Sequence, residues 1–107
     1  MEPRHEHWIA AKHVLRYIRG TINYGLRYTA SSDIQLHGFT DSDWAGNVED
    51  RKSTSGMCFS LGSAMISWGS RKQKFVALST AEAKYIATCE TCTEAVWMRK
   101  LIYGLFD

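Results

Sequence analysis

Three carboxylates stand where they could do chemistry. Asp41 and Asp43 lie in FTDSDWAG, where an apparent strand runs out against a tryptophan and a glycine. Glu82 lies in ALSTAEAKY, at the start of a long helix signal. Two carboxylates that converge without a basic partner repel each other, and a bound divalent cation relieves that repulsion. Donors that are all oxygen favour magnesium or manganese. Asp41, directly on the strand, is the better ligand candidate. Asp43 reads as a residue that shapes the turn. Glu82 has two readings. It is either a negative charge favoured by the positive end of the helix dipole, or the partner of Asp41 at the sheet edge.

The elements must decide which. Trp8, Ala11, Leu15 and Ile18 recur at helical spacing in EPRHEHWIAAKHVLRYIRG, with Pro3 suited to a first turn and Gly20 to a stop. Residues 24–28 read as a short strand followed by a polar turn. Residues 34–40 read as another strand, weakened by Gly38. GMCFSLG and AMISWGS are two apolar runs with the look of a hairpin. Residues 80–103 read as an uninterrupted helix, with Ser79 or Thr80 as N-cap and Glu82 in the first turn. Short connections predict three antiparallel central strands, with the long helix covering one face. At roughly 100° per residue, Ile86, Cys89, Thr93, Val96 and Trp97 fall within about 60° of Glu82, with Tyr85 at the edge of that arc. That predicts Glu82 at the head of the face that packs on the sheet. Lys84 and Ile102 fall near 200°, toward solvent.

The chain has 107 residues, enough for one small domain or part of one. It is 45% hydrophobic and 22% charged, an ordinary globular balance. A net charge of +2 is too small to argue for nucleic acid by itself, so charge placement must carry that case. Three cysteines, Cys58, Cys89 and Cys92, form no framework and suggest free thiols in a reducing compartment. The opening MEPRHEHW holds no apolar signal core, and no run is long enough to span a bilayer. The expectation is a soluble intracellular protein of cytoplasm or nucleus, without membrane partner or small-molecule cofactor.

DSDWAG, DRKSTSG, ISWGSRKQ, ALSTAEAKY and EAVWMRKL occur in that order. Together they resemble the ribonuclease H region of Pol polyproteins from copia-type long-terminal-repeat retrotransposons. HWIAAKHVLRYIRGTINYGLRY resembles the segment that joins the reverse transcriptase to that region. The resemblance covers nearly the whole chain. It implies a ribonuclease H-like α/β fold, with residues 1–30 as connection segment and 31–107 as a partial nuclease domain. It also implies RNA/DNA hybrid and the reverse transcriptase portion of the same polyprotein as partners. In the family, carboxylates hold two magnesium ions that cleave the RNA strand, leaving a 3′-hydroxyl and a 5′-phosphate. Metals about 3.5–4 Å apart can activate water and stabilise the leaving oxygen. By resemblance Asp41 matches the first carboxylate and Glu82 the second.

The sequence departs from the family in two places. The family reads E-A-E-Y where this chain reads EAKY, with Lys84 at the second acidic position; the helical period favours Glu82 as ligand. The family's third carboxylate lies in a DNQ-like strand after the helix, whereas this chain ends LIYGLFD, and Asp107 matches no motif. The resemblance thus implies a fold incomplete at the C-terminus, with weak or absent cleavage. The alternative is a non-catalytic nucleic-acid-binding or protein-interaction module.

Arg51, Lys52 and Ser53, with Arg71, Lys72 and Gln73, put basic and polar groups on what read as loops. They could hold the phosphates of a hybrid duplex, or be solvated loop charge. CETC, Cys89 to Cys92, has no second ligand pair and reads as packing. His5, His7, His13 and His37 show no ligand spacing. Trp8, Trp44, Trp68 and Trp97 read as core or edge packing.

Overall fold

The computed structural model describes residues 2–30 and 34–106. Its elements are α1 (His5–Gly20), β1 (Leu36–Asp43), β2 (Thr54–Leu61), β3 (Ala64–Lys72) and α2 (Thr80–Phe106). The sheet is antiparallel in the order β1-β2-β3, which leaves β1 and β3 as edges. Gly62 opens the turn between β2 and β3 with a φ of 60°. A positive φ at the first loop position alone suits a II′ hairpin, and glycine adopts it without steric cost. The α/β order and the hairpin agree with the sequence expectation.

The core lies between α2 and the sheet. Phe59 on the central strand is 1% exposed. On β1 its cross-strand partner is Gly38, where an added Cβ would come within 2.8 Å of the Phe59 ring. The glycine that weakens β1 as a strand is thus what makes room for the ring. α2 presents mostly small residues to this face: Ala83, Ala87 and Thr91 are buried, joined by Met98. It packs on β1 and β2. At its start, the Glu82 N–H donates to Ser79 Oγ at 3.1 Å, so Ser79 is the N-cap. Gly104 does not stop the helix, which runs on to Phe106.

Other boundaries differ from the sequence expectation. β1 begins at Leu36 and continues through Asp43, because Ser42 and Asp43 pair with Ser55 and Thr54. Both aspartates therefore lie on the strand. β3 extends through Lys72, so Arg71 and Lys72 are strand residues, not loop residues. Residues 24–28 are not a strand. They sit beside the β2–β3 hairpin through side chains: Tyr28 Oη donates to Met65 O at 2.7 Å, and the Thr29 N–H donates to Ser63 Oγ at 3.1 Å. Gly25, in the middle of the segment, gives a ladder nothing to pack.

α1 is capped by His7, whose Nδ1 accepts the Arg4 N–H at 3.0 Å. None of its residues is buried, and it packs on no other element among the described residues. No described helix is long and apolar enough to cross a membrane. The expected division after residue 30 adjoins residues 31–33, and Asp107 ends the chain; these residues lie outside the described ones.

Candidate site between the first strand and the long helix

The rotation of α2 decides what faces Asp41. Ala83 and Ala87, 0% and 1% exposed, fix the inward face. Lys84 and Thr88 each follow one of these alanines and so stand on its flank, about 100° round the axis. A cleft of about 200 Å³ opens there, lined by Thr40, Asp41, Lys84, Ala87 and Thr88. Thr88 Oγ1 donates to Lys84 O at 2.8 Å, and Thr40 Oγ1 to Gly56 O at 3.2 Å. Both hydroxyl hydrogens are thus committed to backbone carbonyls. Asp41 and Lys84 share the cleft without a direct ion pair among the described residues.

Glu82 is not in this cleft. It is exposed, and its Oε2 accepts the Leu78 N–H at 2.7 Å. It secures the helix entrance, the first of its two sequence readings, and the expectation that it heads the sheet-facing side is corrected. The cause is steric. Close packing of a helix on the sheet favours small side chains, so Ala83, Ala87 and Thr91 turn inward and Val96 and Trp97 stay exposed. Lys84 is exposed, as its solvent side predicted, yet it borders Asp41. The signal was present as small residues every fourth position, Ala83, Ala87 and Thr91, outweighed in the sequence by the bulk of Ile86, Val96 and Trp97.

The donors at Asp41 do not fit the magnesium or manganese that the resemblance implies. Magnesium takes near-octahedral oxygen coordination. The cleft offers one carboxylate, two neutral hydroxyls and an ammonium, too little negative charge for a hard dication. Among the described residues no three His, Cys, Asp or Glu side chains gather as a metal group.

Asp43 behaves as a turn residue. A side chain at Gly46 would collide with its carboxylate. Trp44 Nε1 donates to Ala77 O at 3.0 Å, and Ala45, at a φ of 50°, donates its N–H to Ser53 Oγ at 3.0 Å. DSDWAG is thus a strand end anchored at both sides, with Asp41 left facing the cleft.

The basic segments divide. Ser53 and Gln73 are fully buried, which corrects their assignment as phosphate contacts. The Gln73 N–H donates to Ser53 O at 2.8 Å, and Gln73 Nε2 donates to Ser55 Oγ and Ala83 O, each at 2.9 Å. The amide ties the sheet to the first turn of α2, a role that a polar residue beside two lysines did not suggest. Arg51 and Arg71 are exposed and Lys52 half-buried. Lys72 pairs with Asp50 at 2.6 Å, and its hydrogen bond is the main cause holding the Asp50 carboxyl below the usual range. Because Lys72 pairs with Thr54 and Arg71 with Ser55, the β2–β3 ladder brings the two basic segments side by side.

Cys89 and Cys92 are free and exposed, not packed, because Ala87 and Thr91 occupy the inward face. Trp8, Trp44, Trp68 and Trp97 are also exposed, against expectation; Trp68 is 69% exposed on β3, an edge strand that α2 does not cover.

Similar proteins carry much of this sequence. Secreted RxLR effector protein 161 of Plasmopara viticola is 48% identical over 97 residues, covering 91% of this chain and 68% of the effector. The retrovirus-related Pol polyprotein from transposon TNT 1-94 of Nicotiana tabacum is 47% identical over 103 residues. That from transposon RE2 of Arabidopsis thaliana is 41% identical over the same length. The chain is homologous to a short segment of retrovirus-related transposon Pol polyproteins. Each Pol match takes in 96% of the Pol-related chain but only 8% and 7% of the respective polyproteins. No family model matches the Pol-related chain, and no solved structure does.

Proposed function

We propose that this Pol-related chain is the ribonuclease H-like region of a copia-type polyprotein, in a form that holds an RNA/DNA hybrid without hydrolysing it. In the polyprotein this region would act on the RNA strand during reverse transcription, beside the reverse transcriptase portion. Support for the hybrid comes from the ordered motifs and from the basic edge formed by Arg51, Lys52, Arg71 and Lys72. The observation that carries the absence of hydrolysis is the cleft itself, where Asp41 meets Lys84 and not Glu82.

The test is fluorescence anisotropy with a labelled hybrid, run with a magnesium-dependent cleavage assay on the same material. The expected result is salt-sensitive binding with no RNA cleavage. Arg71→Ala should weaken binding and lower the salt slope by roughly 1. Magnesium-dependent cleavage lost in Asp41→Asn would overturn the non-hydrolytic reading.

A second reading is favoured by the effector match. The chain spans two thirds of that secreted protein, and its exposed α1 stripe offers a surface for a protein partner. Absence of hybrid binding in the same assay would transfer the proposal to this reading.

A further inference from the structure

We infer that Lys84 is the resident cation of the Asp41 cleft, so that the cleft takes no divalent metal until the lysine is replaced by a carboxylate. The inference deepens the proposed function at the same site, but its test uses no nucleic acid.

The rotation of α2 sets Lys84 in the wall of the cleft, where its side chain is exposed. Buried Ala83 and Ala87 fix the helix on either side of it. Thr88 Oγ1 bonds its carbonyl at 2.8 Å. The cleft is about 200 Å³, and among the described residues its charged lining is Asp41 and Lys84. Their charges sum to zero. A dication entering this space would meet one carboxylate and one ammonium, and would leave the site with an uncompensated double positive charge. An ammonium beside a dication repels it, and the single carboxylate cannot offset both. A glutamate at position 84 reverses the balance. Two carboxylates would then face each other from β1 and α2, and a hard dication neutralises both. Glu82 cannot substitute for it, because it points to the helix entrance and is engaged by the Leu78 N–H.

The test is manganese titration of the full 107-residue chain, with free Mn²⁺ read by electron paramagnetic resonance and folding checked by circular dichroism. The unsubstituted chain is expected to show no saturable uptake that depends on Asp41. Lys84→Glu is expected to gain one site, at least about tenfold tighter, equivalent to ~1.4 kcal/mol. Adding Asp41→Asn to Lys84→Glu should remove it. Lys84 lies on the helix surface, and Lys84→Asp provides the same charge should the glutamate variant fail to fold. Uptake by the unsubstituted chain that Asp41→Asn abolishes would overturn the inference. So would folded charge-reversal variants that gain nothing. Neither result bears on hybrid binding, and loss of hybrid binding would leave this inference standing.

Discussion

Gln73 shows how one side chain can outrank its neighbours. Its amide nitrogen is shared between Ser55 Oγ and Ala83 O, while its Oε1 is buried without a partner among the described residues. Gln73→Ala leaves the Ser55 hydroxyl and the Ala83 carbonyl without this donor in a buried place, so it should cost about 1–3 kcal/mol. Urea denaturation of the two proteins measures it. Nothing local separates Gln73 from Arg71 and Lys72, because a polar residue in a basic run looks solvated. Its burial depends on the pairing of β2 with β3 and on where α2 begins, neither of which is a local property. Asp41 was legible for the opposite reason: a carboxylate on a strand beside Trp44 and Gly46 is locally unusual wherever the helix lies.

At the scale of elements, existence was easier to foresee than orientation. α1, the β2–β3 hairpin and α2 follow from period, turn chemistry and capping. The rotation of α2 does not, since hydrophobic weight favours the arc of Ile86, Val96 and Trp97. Close helix–sheet packing favours the alanines, which are 0% and 1% exposed at positions 83 and 87. Ala87→Leu should therefore overpack the helix–sheet contact and cost about 1–3 kcal/mol. Thermal melting followed at 222 nm checks this. Unchanged melting would mean that α2 can turn to relieve the clash, and the cleft with it. The segment over residues 24–28 is not a strand: Tyr28, and Thr29 just after it, reach the hairpin by bonds that use the Tyr28 and Ser63 side chains and build no repeating ladder.

The whole molecule divides into a packed layer and an unpacked arm. α2 over β1 and β2 holds the core, whereas α1 buries nothing. Phe59→Ala should cost about 3–5 kcal/mol, and Leu15→Ala should stay within about 0.5 kcal/mol. Equal losses in chemical denaturation would contradict this division. The resemblance supplied a fold name that periodicity alone could not; what it could not supply was the direction of each side chain on α2. That direction also has a practical side. Cys89 and Cys92 stand outward, one turn apart, on the back of the rod that carries Lys84. A rigid spin label clipped across both sulfurs would ride with that rod and report its tilt over the sheet.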